Sequence, residues 1–285
     1  MNGKGDKWRG GWTPQYANNF NEIFGDKMKK IYIFDVDGTL TPSRLPMTKE
    51  FKKFFKEWAK ENNFYLVTGS DLPKLQEQME GLEIYSSGIF TCCGNEHWEA
   101  DPAVHPKHCD LIYEHKFKPP QNLLTYLGEQ LRMSDYPVKA GNHIEDRGSM
   151  VNFSIVGRDC TLVQRRDYYE YDNQMGERET IAKYIRESWS DLDAVIGGQI
   201  SIDIYPKGKD KSQVMKHITD NIIREVHPDI YNDDTEFIFI GDGIDNGGND
   251  YPLAQILKHK DTPYGYAYQT DGWEHTQKIL EKLSD

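Results

Sequence analysis

Two carboxylates stand two residues apart in Asp35-Val36-Asp37-Gly38-Thr39-Leu40-Thr41, directly after the apolar run Ile31-Tyr32-Ile33-Phe34. Acids so placed at the end of a strand suit a division of labour between a nucleophile and a proton donor. The glycine that follows lets the backbone turn sharply. Three more polar clusters lie downstream: the hydroxyls of Thr68-Gly69-Ser70, the lysine of Lys209-Asp210-Lys211-Ser212, and the acids of Gly241-Asp242 and Gly247-Gly248-Asn249-Asp250. His105, His108 and Cys109 share one short loop without a convincing fourth ligand, so they make a poor zinc site.

The elements around these clusters have to bring them together. The runs Ile31 to Phe34, Phe64 to Val67 and Phe237 to Ile240 are continuously apolar, as in parallel strands buried on both faces, and each ends in one of the polar loops. From Thr48, apolar positions at Phe51, Phe54, Phe55, Trp58 and Ala59 recur with helical period. Ser70 or Asp71 can cap a second helix carrying Leu72, Leu75 and Met79. This β-α-β-α order predicts an α/β fold with a Rossmann-like parallel sheet, all three loops opening on one sheet edge.

The middle of the chain alternates instead. Ile200, Ile202 and Ile204 fall on one side of a strand with Ser201 and Asp203 on the other, and Val151, Phe153 and Ile155 repeat the pattern. That texture predicts a smaller α/β module with an open-faced antiparallel sheet, one face buried and one exposed, and helices at 122–133 and about 176–189. The expected division is an extension over 1–29, a core from 30–107 and 207–285, and a cap over 108–206.

The composition narrows the partners. A net charge of -12 argues against nucleic acid, and no apolar run is long enough to span a bilayer. The first thirty residues lack a signal or transit pattern, and four cysteines without paired spacing read as reduced thiols, so the cytoplasm is the expected compartment. A small anionic substrate would need local arginines, which draws attention to Arg44, Arg147, Arg158 and Arg165.

Taken together, the string from Asp35 to Thr41, Thr68-Gly69-Ser70, Lys211 and the Gly241-Asp242 loop resembles the four motifs of the haloacid-dehalogenase-like phosphotransferases in order and spacing. The resemblance implies an aspartyl-phosphate chemistry. An aspartate attacking a phosphate dianion needs cations to offset the repulsion. Mg²⁺ fits an all-oxygen site of Asp35, the backbone carbonyl of Asp37, and Asp242. Lys211 would add fixed positive charge, and the Thr68 or Ser70 hydroxyl would hold a phosphoryl oxygen.

A narrower resemblance rests on Asp37 to Arg44, Gly69 to Gln78 and Gly197-Gly-Gln-Ile-Ser-Ile-Asp203, which look like eukaryotic-type phosphomannomutases. In that family arginines, a serine and an aspartate of the cap hold the sugar phosphate, and the matching positions are Arg147, Arg158, Arg165, Ser201 and Asp203, with Arg44 from the core. The resemblance implies interconversion of hexose 6-phosphate and hexose 1-phosphate, mannose preferred, through phospho-Asp35 and a hexose 1,6-bisphosphate activator. Asp37 would serve as general acid and base. It also implies a homodimer joined through the cap, with Tyr168, Tyr169 and Tyr171 suited to that interface. One cap arginine of the family aligns with Ala140. A leakier cap would pass the phosphoryl group to water, so a sugar-phosphate phosphatase is the alternative. A non-enzymatic phosphosugar-binding protein would have lost one of Asp35, Asp37, Lys211 or Asp242, and all four are present.

Overall fold

The computed structural model describes residues 30–101, 104–105, 108–219, 235–245, 247–258 and 265–284; the expected extension over 1–29 lies outside them. In chain order the elements are β1 (Lys30–Phe34), α1 (Lys49–Ala59), β2 (Asn63–Val67), α2 (Leu72–Met79), β3 (Gly88–Thr91), β4 (Glu96–Ala100), β5 (Cys109–Glu114), α3 (Gln121–Met133), β6 (Ile144–Asp146), β7 (Val151–Phe153), α4 (Leu162–Met175), α5 (Glu177–Ser188), β8 (Leu192–Gly197), β9 (Ser201–Pro206), α6 (Gln213–Lys216), β10 (Glu236–Gly241), α7 (Tyr251–Leu257), β11 (Gly265–Gln269) and α8 (Trp273–Ser284).

Seven strands form the larger sheet in the order β11-β10-β1-β2-β3-β4-β5, parallel from β11 to β3 and antiparallel beyond. Because side chains alternate along a strand, Ile31 and Ile33 of β1 enter one apolar cluster with Phe237, Phe239, Val214 and Leu253, while Tyr32 and Phe34 enter another with Phe51, Phe55 and Trp58 of α1. Both faces are covered, so the strands are apolar throughout. The caps follow the sequence: Thr48 accepts the Phe51 N–H at the start of α1, and Asp71 accepts the Lys74 N–H at the start of α2.

The second sheet, β6-β7-β9-β8, is antiparallel. Leu123 and Leu127 of α3, Tyr168 of α4 and Ile181, Ala182 and Ile185 of α5 cover one face over Phe153, Ile202 and Ile204. The other face carries Asn152, Ser201 and Asp203, and these are buried too. It was expected to be exposed; it is instead the roof of a cleft, closed by the larger sheet's loops.

Two further expectations change. The smaller module does not open at residue 108: Cys109–Glu114 pairs with β4 over Ala100↔Cys109 to Glu96↔Glu114, so this hairpin extends the larger sheet and the crossing follows it. The tyrosine segment is mainly core: Tyr168 is fully buried and meets Tyr136 edge-on with centroids 4.9 Å apart, Tyr171 also packs on Tyr136, and Tyr169 alone of the three is exposed.

Candidate active site

Strand β1 lies between β2 and β10, and Phe34 is in register with both Leu66 and Ile240. The first residue past β1 therefore sits at the centre of the edge where the other two loops arrive. That residue is Asp35, its N–H donating to Ile240 O at 3.0 Å. Lys211, fully buried, reaches up from the return segment and donates from Nζ to Asp35 Oδ1 and Asp250 Oδ1, both at 2.7 Å. Burial opposes the ammonium charge, yet the two carboxylates outweigh it and hold the Lys211 pKa well above the ordinary lysine value.

Asp35 Oδ2 is buried and has no hydrogen-bond partner among the described residues. A lone oxygen of this kind, on a carboxylate whose other oxygen is fixed, is placed to accept a group from the cleft. Burial and the neighbouring Asp250 and Asp37 charges push the Asp35 pKa up to about 7 against the pull of Lys211, and burial with Asp35 and Asp250 pushes Asp242 up to about 8. Such crowding of acids asks for a cation.

Among the described residues, the acid, histidine and cysteine side chains close enough to share a metal ion are those of Asp35, Asp242 and Asp250, with ligand atoms within 4.8 Å of one another. A Cβ at Gly38 would collide with Asp242 Oδ2, so glycine is needed where the turn brings this carboxylate across the backbone. Asp250 already accepts Lys211 through Oδ1 and the Gly243 N–H (2.9 Å) through Oδ2. It therefore braces the site, leaving Asp35 and Asp242 with free oxygens. The donor set is all oxygen, as Mg²⁺ prefers. The side chain of Asp37 is not in this group.

The Asp37 carboxylate has its own supports. Oδ1 accepts Gln78 Nε2 at 2.8 Å and the Arg44 N–H, and Ser43 Oγ lies 3.4 Å from Oδ2. Arg44 reaches this position with φ 63, in the left-handed region. Gln78 is fully buried on α2 and also donates to Thr41 Oγ1 at 2.9 Å. Gln78→Met is expected to lower kcat by roughly 10–100-fold with little change in KM, by freeing Asp37 to swing; steady-state kinetics would read this, and an unchanged kcat would remove Gln78 from the catalytic arrangement.

The cap closes over these groups. Arg147 donates from Nη1 to Gly69 O at 2.6 Å, joining the two modules, and its Nε and Nη2 hold Glu145. Arg158 donates to Ser201 Oγ at 2.9 Å. Asn152 Nδ2 donates to Asp203 Oδ1 at 2.6 Å. Burial, then the nearby Arg44 and Arg147, lowers the Arg158 pKa to about 10; burial and Arg44 likewise lower Arg165. Arg158 and Arg165 thus sit in crowded positive charge suited to an anion, whereas at Arg147 burial is outweighed by Asp203 and Glu145, which raise its pKa. The Thr68 side chain accepts the Ser70 N–H at 3.1 Å, fixing the tight turn after β2.

One cleft is lined by Asp35, Asp37, Arg44, Thr68, Ser70, Arg147, Arg158, Arg165, Ser201, Asp203 and Asp242. Of the residues predicted from sequence, only Lys211 is missing from the lining, and it lies directly beneath Asp35. Ala140 is not in the lining; its carbonyl sits against Gly157 and accepts the Asp159 N–H. Gln78, Asn152 and Glu145 were not predicted, and Asp250 was singled out with its glycine-rich loop but given no role. The signals available were a glutamine on the buried stripe of α2 and a second acid in the glycine-rich loop.

The eukaryotic phosphomannomutase family model matches residues 51–284. The chain is 35% identical over 238 residues to the phosphomannomutase of Encephalitozoon cuniculi, covering 82% of this chain and 86% of that one. It is 33% identical over 257 residues to that of Drosophila melanogaster, covering 89% and 94%. Among solved structures it resembles a Bacteroides thetaiotaomicron haloacid dehalogenase-like hydrolase (TM-score 0.53, 14% identity, 90% of this chain and 99% of that one). It also resembles the C-terminal domain of Candida albicans trehalose-6-phosphate phosphatase (TM-score 0.57, 13% identity, 94% of each). These two likenesses bear on fold alone. The family match begins downstream of Asp35, Asp37 and Arg44, whose placement rests on the geometry above; with four-fifths of the sequence matched and curated relatives aligned nearly end to end, the chain belongs to the eukaryotic phosphomannomutase family.

Proposed function

We propose that the protein interconverts hexose 6-phosphate and hexose 1-phosphate, with mannose the preferred sugar, carrying the phosphoryl group on Asp35. The observation that supports this reading most is the free, buried Oδ2 of Asp35 facing, across one cleft, the arginines Arg147, Arg158 and Arg165. One phosphate would meet the nucleophile while the other is held by guanidinium groups, which bind phosphate oxygens in pairs.

In the proposed cycle Asp35 Oδ2 attacks a phosphate of the hexose bisphosphate, the phosphorus–oxygen bond to the sugar breaks, and Asp37 gives that oxygen a proton. In reverse, Asp37 takes the proton from the hydroxyl of a monophosphate as the phosphoryl group leaves Asp35. Ser201 and Asp203 bind sugar hydroxyls from the cap strand. Lys211 keeps Asp35 Oδ1 fixed and offsets charge at the transferred group. Mg²⁺, held by Asp35, Asp242 and the Asp37 carbonyl, would supply Lewis-acid neutralisation of the phosphoryl oxygens.

The cleft has about 50 Å³ of free volume, well below the roughly 300 Å³ or more of a small-molecule site. The cap must therefore swing open to admit a sugar phosphate, and closure then excludes the water that would hydrolyse the acyl phosphate. We also propose a homodimer joined through the cap, supported by the exposed apolar Leu162 and Val163 at the start of α4 and checked as mass by light scattering. Cytoplasmic residence belongs to the same reading, supported by unpaired cysteines; fractionation of cells tests it.

A ³¹P NMR time course with Mg²⁺, mannose 1-phosphate and a trace of hexose 1,6-bisphosphate tests the function: mannose 6-phosphate should appear, and inorganic phosphate alone would identify a phosphatase. Metal removal gives a second readout. At pH about 8, adding Mg²⁺ to chelator-treated protein is expected to raise Tm by several degrees by offsetting the repulsion of Asp35 and Asp242, and Asp242→Asn should abolish that rise. A rise that persists in the variant would move the metal elsewhere.

A further inference from the structure

Glu145, on β6, is the carboxylate in ion-pair contact with both Arg147 and Arg158. Its Oε2 takes Arg147 through Nε at 3.0 Å and through Nη2, and lies 3.5 Å from Arg158 Nε. The arginine side chains are 7% and 9% exposed, while Glu145 is 33% exposed at the rim. Asp203, the other acid beneath these arginines, takes Asn152 at Oδ1 and acts on Arg147 and Arg158 by charge at longer range. Glu145 thus occupies, for two members of the cradle, the electrostatic place of a phosphate oxygen.

The arginines do not depend on it for their position. Arg147 remains tied to Gly69 O through Nη1, and Arg158 to Ser201 Oγ through Nη1. What Glu145 contributes is charge. Four guanidinium groups line the cleft, and without Glu145 to supplement Asp203 they would grip a phosphate dianion more tightly. A hydrolase has only to release its product. In an exchange of two phosphate positions, by contrast, the phosphate held by the cap in one half of the cycle is the one transferred in the other, so the grip must break every turnover.

We propose that Glu145 is an internal counter-anion of the phosphate cradle, competing with the non-transferred phosphate for Arg147 and Arg158 so that the bisphosphate can let go and exchange ends. This inference rests on the mutase reading, but its test does not depend on turnover.

Calorimetric titration of the full-length Mg²⁺-loaded protein with inorganic phosphate would compare wild type with Glu145→Gln, Glu145→Ala and Glu145→Asp. Loss of the charge in the Gln and Ala variants should tighten phosphate binding roughly tenfold, and the Asp variant should stay near wild type. With mannose 1-phosphate, Glu145→Gln should lower KM and kcat together. A prop whose only task is to hold the arginines would do the opposite, weakening phosphate and raising KM. Unchanged or weaker phosphate binding in both the Gln and Ala variants overturns the proposal. If wild type binds phosphate and the Gln and Ala variants bind it more tightly, yet none interconverts hexose phosphates, the counter-anion role stands and the mutase reading fails.

Discussion

Asp35→Asn should cut turnover by at least about 10⁴-fold while leaving mannose 1-phosphate bound. The substitution removes the unpartnered Oδ2 and replaces a carboxylate by an amide that cannot carry a phosphoryl group. The cap arginines Arg147, Arg158 and Arg165 are on other elements, more than 100 residues away in sequence, so affinity measured by calorimetry should stay close to wild type. Activity within roughly tenfold of wild type would remove Asp35 as nucleophile. The variant should also change the pH dependence of stability. Burial raises the Asp35 pKa from the carboxylate range to about 7, so the folded state holds its proton more tightly than the unfolded chain. Its stabilising contribution is complete below the unfolded carboxylate pKa and is lost as pH rises through about 7. Metal-free wild type is therefore expected to melt lower at pH 8 than at pH 5 from this group, and Asp35→Asn to flatten that slope. Equal slopes in the two proteins would show that Asp35 ionises as freely in the fold as outside it.

Lys211→Met has the second large effect. Lys211 is fully buried and makes two 2.7 Å bonds, to Asp35 and Asp250. Methionine fills similar volume but leaves two buried acids facing each other without a cation. Breaking a buried pair by removing one partner costs about 3–5 kcal/mol. Urea unfolding should show a loss of that size, and Mg²⁺ should recover part of it by neutralising Asp35. A loss below about 1 kcal/mol, the size seen for an exposed ion pair, would mean that Lys211 is not the charge that allows these acids to be buried. The same substitution should lower kcat by about 10³-fold, since fixed positive charge at the transferring group disappears.

What the sequence discloses, and what it hides, follows from how each part is held. Strands β1, β2 and β10 are legible because burial on both faces forces continuous apolar runs, and α1 because Phe51, Phe55 and Trp58 must share one face. Once those strands are placed, Asp35, Thr68 and Asp242 fall at one edge, and the pairing of β1 with both neighbours does the rest. The helix α4 gives no such signal. Its buried positions include Arg165 and Asp172, because that face serves the cleft and a buried ion pair of Asp172 with Arg178 (2.7 Å) as well as the core. The β4–β5 hairpin misleads for a different reason: β5 is a solvated edge strand, half-exposed to exposed along its length, unlike the buried strands of the core.

The roles that escaped sequence reading are those exercised through another side chain. Asp250 braces Lys211, Gln78 aims Asp37, and Asn152 holds Asp203. Each lies outside the acid pair and arginine pattern that marks phosphate chemistry, and its role exists only through a contact between distant elements. Ser201 and Asp203 were legible as a pair because a strand puts every second residue on one face. Their burial was not, since it depends on a second module closing over them.

The central claim is that the phosphoryl group is carried on Asp35. Its most direct test is to quench the Mg²⁺-loaded enzyme in acid during turnover of hexose 1,6-bisphosphate, digest it, and locate phosphate by mass spectrometry. An acid-stable, base-labile acyl phosphate is expected on Asp35 in wild type and none in Asp35→Asn. Phosphate on another residue, or turnover without any phosphorylated peptide, would contradict it.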